Sequence, residues 1–275
     1  MSDLEQALKT LPPFKPVVLQ LLKLTKVSDI NLPELAALIE AEPALSAEIL
    51  TLANSPLFNT AGQLRSIPHA ITFLGVARIR SVVTTAAART LVTKSRKTVV
   101  LRNCWLHSVA TALIAAELAQ ASGQDRDAAY LAGLLHDIGR LGLLGVYPDR
   151  YTATLQHEYE SIPRILAGEN KAVGVDHCEA GLILTRLWNL PEEFANVAAY
   201  HHNPDPKLYT GSTGLVRLAC LISDSLRFEA VRYRSVLRFD EIRTCMPKQI
   251  RVPSQFQMER IEEYVVENIA SLDSL

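Results

Sequence analysis

The sequence predicts an all-α protein, a two-lobed helical fold. Apolar residues recur at intervals of three and four along most of the chain, which is the period of an amphipathic helix. The strict alternation of apolar and polar residues that marks a half-buried strand is not convincing anywhere in the sequence. Capping residues and prolines at helix starts divide this pattern into separate helices.

The first predicted lobe covers residues 1–96 and contains five helices. Their markers are Pro16, Asn31, Pro43, Ser66 and the apolar run that follows Gly75. Asn31 is a favoured N-cap residue, and Glu34 stands three residues later as its capping-box partner. Pro43 suits the first turn of a helix, where its missing N–H costs nothing.

A short basic and polar link at residues 94–97 (Lys-Ser-Arg-Lys) marks the predicted lobe boundary. We interpret it as a solvated helix end rather than an anion contact. The second lobe, residues 97–275, has predicted helices at 99–121, 126–141, 177–188, 191–202 and 213–228. Asp176 and Glu179 form a capping box at the start of the third. Residues 229–253 show no clear pattern, and an amphipathic C-terminal helix is expected to pack on the core.

Composition and charge favour a cytoplasmic protein. The 275 residues are 48% hydrophobic and 21% charged, as in globular proteins, and the net charge of -1 does not favour a nucleic-acid partner. Residues 1–5 are polar and acidic, unlike a signal peptide, and the most apolar stretch, residues 109–116, is too short to span a bilayer. The four cysteines show no paired spacing, which fits a reducing compartment. We therefore expect neither a nucleic-acid nor a membrane partner.

Five histidines of the second lobe stand where an apolar core does not favour them: His107, His136, His177, His201 and His202. His136 and Asp137 are adjacent within the apolar, glycine-flanked run of residues 131–139, and Asp224 lies on an apolar helical stripe. Taken singly, each histidine is more often a hydrogen-bonded core residue, and a lone Asp is usually solvated. Burying an ionised Asp or an unpaired His costs several kcal/mol without a partner. A metal ion is the partner that satisfies many such groups at once.

The order of these residues resembles the metal-ligand series of the HD superfamily of metal-dependent phosphohydrolases, in its dinuclear form. Further segments resemble the HDOD (HD-related output domain) family: residues 53–58 (Ala-Asn-Ser-Pro-Leu-Phe), 66–67, 70–75, 105–108 (Trp-Leu-His-Ser), 133–139 (Gly-Leu-Leu-His-Asp-Ile-Gly) and 187–191 (Leu-Trp-Asn-Leu-Pro). The resemblance extends from about residue 11 to about residue 228. It implies an N-terminal HDOD lobe, an HD-like helical bundle and a role in bacterial signalling.

The resemblance also implies a role for each ligand. One ion is expected at His107, His136, Asp137 and Asp224, and Asp137 bridges to a second ion at His177, His201 and His202. Mixed imidazole and carboxylate ligands suit divalent transition metals, with Fe or Mn favoured and Zn or Ni as alternatives. Two such ions stabilise an in-line phosphoryl displacement. We predict Asp137 and Arg140 as catalytic residues, with Arg140 binding a substrate phosphate; the alternative for Arg140 is a structural salt bridge.

Two functional hypotheses follow from the resemblance. Many HDOD proteins have lost ligands and act as regulatory modules, whereas all seven positions are filled here. The related HD-GYP cyclic-dinucleotide phosphodiesterases carry Gly-Tyr-Pro after the histidine pair, but residues 203–206 are Asn-Pro-Asp-Pro, and Arg140 replaces a common Lys. The first hypothesis is a phosphohydrolase or phosphodiesterase acting on a nucleotide-like phosphoester other than cyclic di-GMP. The second is a non-catalytic signalling module that binds a partner protein and holds metal only structurally.

Overall fold

The computed structural model describes residues 3–11, 14–23, 31–58, 62–94, 98–244 and 258–273. These residues are helical almost throughout, which confirms the predicted all-α class. The helices of the first predicted lobe are α1 (Asp3–Lys9), α2 (Pro16–Lys23), α3 (Leu32–Glu40), α4 (Pro43–Ala53) and α5 (Ile67–Lys94).

The second predicted lobe contains the remaining helices and one minimal sheet. The helices are α6 (Val99–Ala121), α7 (Arg126–Leu135), α8 (Ile138–Val146), α9 (Pro148–Leu155), α10 (Ile162–Val173), α11 (His177–Leu187), α12 (Glu192–Tyr200), α13 (Gly211–Ser225), α14 (Phe239–Thr244) and α15 (Met258–Asp273), with a short 3-10 turn at Pro206–Leu208. Two-residue strands, β1 (Glu158–Tyr159) and β2 (Arg232–Tyr233), pair in parallel.

The predicted caps set several helix boundaries. Asn31 accepts a hydrogen bond from the Glu34 backbone N–H at the start of α3, over 3.3 Å. Asp176 does the same for the Glu179 N–H at the start of α11, over 3.0 Å. Gly75, with φ 76° and ψ 166°, divides α5 into two helical segments because this backbone conformation is not helical. Residues other than glycine rarely adopt it. The predicted helix ending before Gly75 is therefore confirmed.

The core is continuous across the predicted lobe boundary. Helix α6 lies at its centre and packs against α7 and α13, while α15 packs on α6 as expected for the C-terminal helix. Phe58 and Thr85 of the first lobe both contact Tyr130 of the second, by an edge-on ring contact of 6.0 Å and by a hydrogen bond of 3.0 Å. The division into 1–96 and 97–275 stays a prediction, and residues 95–97 of the basic link lie outside the described residues.

Two helices are long and apolar enough to cross a membrane by length and composition alone: Ile67–Arg89 and Val99–Ala121. The second is longer than the apolar stretch of residues 109–116 considered in the sequence. In the fold, 78% of its apolar window and 56% of that of the first are buried inside the protein. Such burial is what the core helices of a soluble protein show.

The prediction of a single helix over residues 126–141 is wrong. Helices α7 and α8 meet at a turn formed by His136 and Asp137, and Asp137 leaves the helical range with φ -100° and ψ 21°. Gly139 then lies directly against the first turn of α11, so the chain must change direction before it. Helices α1, α9, α10 and α14 were also not predicted, and residues 245–253 of the unclear segment lie outside the described residues.

Candidate metal centre

Four parts of the fold bring the predicted ligands together in the interior. His107 comes from the middle of α6, His136 and Asp137 from the turn between α7 and α8, His177 from the start of α11, and His201 and His202 from the end of α12. All six side chains are buried, and the most accessible, His202, is 8% exposed. The structure therefore brings these six residues together.

Asp137 lies at the centre and presents its two carboxylate oxygens to different imidazoles. Its Oδ1 lies 3.3 Å from Nε2 of His177 and 3.4 Å from Nε2 of His201. Its Oδ2 lies 3.7 Å from Nε2 of His136 and 3.8 Å from Nε2 of His107. The donor atoms consequently form two groups: Asp137, His177, His201 and His202 in one, and His107, His136 and Cys220 in the other.

Backbone carbonyls fix the orientation of the imidazole rings. Nδ1 of His107 is 2.8 Å from the carbonyl oxygen of Phe228, and Nδ1 of His136 is 2.6 Å from that of Gly133. Nδ1 of His201 bonds to carbonyls one turn earlier in α12. Because a carbonyl can only accept, each Nδ1 carries the proton and each Nε2 keeps a free lone pair. This is the tautomer that a metal site requires.

Burial keeps most of these rings neutral. It lowers the pKa of His107 to about 4 and lowers the pKa values of His136, His201 and His202 below the usual range. For His177, burial and the charge of Arg140 lower the pKa, but Cys178, Glu169 and Asp137 together raise it more, so the pKa lies above its ordinary value. Since only neutral imidazole ligates metal, binding at His177 releases a proton.

Two buried atoms test whether a metal fits this centre. Oδ1 of Asp137 and Nε2 of His201 have no hydrogen-bond partner among the residues that the structure describes, although they lie 3.4 Å apart. Both present lone pairs to the same space, so they cannot satisfy each other. Burying such groups unpaired costs several kcal/mol, and a cation between them satisfies both. The residues therefore fit the metal that the sequence predicted.

A buried ion-pair network supports the centre from one side. Arg140 donates from Nε to Oδ2 of Asp137 over 2.7 Å and from Nη1 to Oε1 of Glu169 over 2.8 Å. Glu169 also accepts from the hydroxyl of Tyr151 and from Nδ1 and the backbone N–H of His177, over 2.7–3.0 Å. Burial raises the pKa of Glu169, but His177 and Arg140 lower it more, to about 2. Glu169, which the sequence did not single out, therefore orients His177.

Arg140 forms the salt bridge that was the alternative to a phosphate contact. Its side chain is 3% exposed, and Nε and Nη1 are both engaged by carboxylates. Nη2 lies 3.4 Å from Nε2 of His177. A role for Arg140 in binding a substrate phosphate, and with it the catalytic assignment of Asp137 and Arg140, stays a prediction.

Asp224 joins neither group of converging donor atoms. Its Oδ1 lies 3.4 Å from Nδ1 of His107, on the opposite side of the ring from Nε2. Burial raises the pKa of Asp224 well above its usual range, although the neighbouring Tyr233 hydroxyl lowers it. The assignment of Asp224 as a metal ligand stays a prediction.

Glycine at position 139 allows the close helix contact that aligns Asp137 with His177. A Cβ atom there would lie 1.9 Å from the carbonyl oxygen of His177 and 2.6 Å from the backbone nitrogen of Gly181. We expect Gly139→Ala to lower the free energy of unfolding by about 1–3 kcal/mol, because backbone must move to make room. Denaturant unfolding measures it. Gly145→Ala is the control, since its added Cβ meets only a terminal methyl of Leu11; equal losses in both variants would contradict the prediction.

Comparison with known proteins identifies the family. The model of the HDOD domain matches residues 11–204, which is more than half of the chain. The chain belongs to the HDOD domain family. The sequence-based recognition of this family is thus confirmed.

The HDOD chain is also similar to two longer proteins. An uncharacterized protein of Treponema pallidum (strain Nichols) is 27% identical over 207 residues, which are 74% of this chain and 39% of that protein. Ribonuclease Y of Lactobacillus acidophilus is 30% identical over 107 residues, which are 39% of this chain and 15% of that enzyme. The chain therefore spans about two fifths of the length of the first relative and less of the second.

Solved structures share the HDOD fold over nearly the whole chain. An HDOD domain protein with unknown function from Geobacter sulfurreducens superposes with a TM-score of 0.69 at 24% identity, covering 98% of this chain and 93% of the other. A structure named "Putative phosphohydrolase" from Shewanella amazonensis SB2B gives a TM-score of 0.68 at 21% identity, covering 98% and 96%. At these identities the likeness shows the fold.

Proposed function

We propose that this HDOD protein is a metal-dependent phosphohydrolase or phosphodiesterase with a two-ion centre, acting on a nucleotide-like phosphoester in bacterial signal transduction. The observation that carries the proposal is the position of Asp137. Each of its carboxylate oxygens faces a separate pair of imidazole Nε2 atoms, which is the arrangement of a bridging ligand. The name of the Shewanella amazonensis structure, which contains the word phosphohydrolase, supports the same superfamily chemistry.

Each side chain has a defined task in this proposal. His177, His201 and His202 would hold one ion and His107 and His136 the other, with Asp137 shared between them. When bound, two divalent ions supply activation of water and stabilisation of the charge on a phosphoryl group. Glu169 keeps Nε2 of His177 pointed toward Asp137 by accepting its Nδ1 proton, and Arg140 holds the orientation of the Asp137 carboxylate.

The alternative is a non-catalytic signalling module in which the metal is structural. One observation favours it: all predicted ligands are buried, and none of them lines either of two cavities of about 370 Å³ and 660 Å³. The cavity of about 370 Å³ includes Phe228, whose carbonyl orients His107. A substrate would reach the ions only after side chains move, whereas a structural ion needs no such path.

The remaining assignments are proposals on the same basis. We propose a cytoplasmic protein whose partner is a phosphoester small molecule, a signalling protein, or both. The name of the Lactobacillus relative points to RNA, but the net charge of -1 gives this chain no general attraction for a nucleic acid. We therefore propose neither a nucleic-acid nor a membrane partner.

Metal analysis and a turnover assay together test the proposed function. We expect about two transition-metal ions per chain by elemental analysis, after purification without chelator or after loading with Fe or Mn. Loaded protein should hydrolyse bis(p-nitrophenyl) phosphate, lose the activity with chelator, regain it with metal, and turn over cyclic di-GMP weakly or not at all.

Three outcomes of this test are distinct. Protein that binds no metal after loading contradicts the hydrolase and any structural ion, and leaves only a signalling module without metal. Protein that binds metal but leaves every phosphoester intact contradicts the hydrolase and supports the signalling module. Saturable hydrolysis of cyclic di-GMP by the loaded protein contradicts the substrate proposal, with Asp137→Asn as the control for contaminating activity.

A further inference from the structure

Cys220 is a buried side chain of the metal centre to which the sequence gave no role. It belongs to α13, one turn before Asp224, and is 2% exposed. Its Sγ lies 3.5 Å from Nε2 of His107, and it converges with the ring nitrogens of His107 and His136 within 4.8 Å. Asp224, the carboxylate expected at this ion, lies instead at the Nδ1 edge of His107.

The two histidines beside Cys220, His107 and His136, point the lone pairs of their Nε2 atoms toward each other. Nε2 of His107 and Nε2 of His136 are 3.3 Å apart, which is within hydrogen-bonding distance. Each Nδ1 donates its proton to a backbone carbonyl, so neither neutral ring has an Nε2 proton to share. A cation bound by both nitrogens removes this conflict.

Two of the three separations between these donor atoms match a tetrahedral ion, and the third, between His136 and Cys220, is within 4.8 Å. Metal–nitrogen bonds of about 2.0–2.1 Å and metal–sulfur bonds of about 2.3 Å place two nitrogens about 3.3 Å apart and a nitrogen and a sulfur about 3.5 Å apart. The observed separations are 3.3 Å between His107 and His136 and 3.5 Å between His107 and Cys220. Oδ2 of Asp137 lies 3.7–3.8 Å from the same two nitrogens, although Asp137 belongs to the other group of converging donor atoms.

We infer that Cys220 is a thiolate ligand of the ion at His107 and His136. The inference rests on the metal-binding part of the proposed function. As the metal–sulfur bond forms, the thiol proton leaves to solvent. A thiolate donor favours zinc, cobalt or iron over manganese at this ion, because manganese prefers oxygen ligands.

Cys178 provides a matched control within the same centre. Its Sγ lies 3.6 Å from Nε2 of His177, and it is 8% exposed, so its burial and its distance to an imidazole resemble those of Cys220. It nevertheless belongs to neither group of converging donor atoms. A thiol that merely neighbours a ligand should therefore behave like Cys178.

The test uses Co(II) titrated into the full chain, because a cobalt–thiolate bond has a near-ultraviolet charge-transfer band that nitrogen and oxygen ligands do not give. We expect the band in the wild type and in Cys178→Ser, and its loss in Cys220→Ser with the circular dichroism spectrum unchanged. X-ray absorption at the cobalt edge of the wild type needs no variant. It should show one sulfur neighbour per chain at about 2.3 Å.

The outcomes separate this inference from the proposed function. Co(II) bound without a charge-transfer band or a sulfur neighbour overturns the Cys220 ligand and leaves the metal centre intact. A band retained in Cys220→Ser, or lost in Cys178→Ser instead, also overturns it. A wild-type chain that binds Mn(II) but no Co(II), Zn(II) or Fe(II) overturns the Cys220 ligand, and one that binds none of the four overturns the metal centre itself.

Discussion

Glu169→Gln is expected to lower the free energy of unfolding by about 3–5 kcal/mol, the range found when one partner of a buried ion pair is removed. Glu169 is fully buried and accepts hydrogen bonds from Arg140, Tyr151 and His177. Glutamine has nearly the same shape but carries no charge, and its amide group cannot accept all of these bonds. Arg140 then keeps only Asp137 as a charged partner. Urea unfolding with a fixed metal content measures the loss.

A second measurement separates orientation of a ligand from general stability. Because Glu169 holds the Nδ1 proton of His177, Glu169→Gln should weaken metal binding at the His177 group by about 10–100-fold, as other losses of a ligand's hydrogen-bond partner do. Glu179→Gln is the control, since Glu179 is exposed on α11 and its replacement should change stability by less than about 0.5 kcal/mol. Unchanged metal affinity in Glu169→Gln would show that Glu169 does not orient His177.

The sequence predicted most of the ligands because they share one property. His136, Asp137 and His177 are polar side chains within or beside apolar helical patterns, where burial without a partner is expensive. Their order along the chain then matched a known ligand series. The sequence pattern does not give the distances between donor atoms. It therefore gave no reason to separate Asp224 from the donors that converge in the structure.

Glu169 and Cys220 were not predicted from the sequence as parts of the site, and the reason differs between them. Glu169 stands among polar residues of α10, a composition typical of a solvated helix, and its burial depends on how α10 meets the other helices. Signals for α10 itself were present in Pro163, near its start, and Gly174, with φ 82°, at its end. Cys220 lies on the apolar stripe of α13, where a cysteine is expected to be an ordinary core residue.

The break between α7 and α8 also could not be predicted from the sequence. Residues 131–139 keep a helical apolar pattern through His136 and Asp137, with no proline to end the helix. The turn is fixed by tertiary contact, since the backbone at Gly139 presses against His177. This turn places Asp137 between the two groups of imidazole rings. The feature that the helical pattern did not predict is therefore the one that positions the central ligand.

Asp137→Asn is expected to reduce the bound metal from about two ions per chain to less than one. Asparagine keeps an oxygen that can accept from Nε of Arg140, so the buried arginine retains a hydrogen bond. It loses the negative charge and one of the two oxygens that face the separate imidazole pairs. His177→Ala, which alters one group only, should lose about one ion. Elemental analysis of both variants beside the wild type measures this difference.

The thermal stability of Asp137→Asn has to be compared with and without chelator. Arg140 compensates the charge of Asp137, so replacing Asp137 lowers stability even when no metal is bound. A lower melting temperature by itself therefore does not show that Asp137 binds metal. Metal at 100 times its Kd adds about 2.7 kcal/mol to wild-type stability, or about 5–10 °C in melting temperature, and chelator should remove it. We expect almost no chelator effect in Asp137→Asn and a full effect in Asp149→Asn, an exposed Asp of α9. A chelator effect in Asp137→Asn as large as that of the wild type would mean that Asp137 does not bind metal.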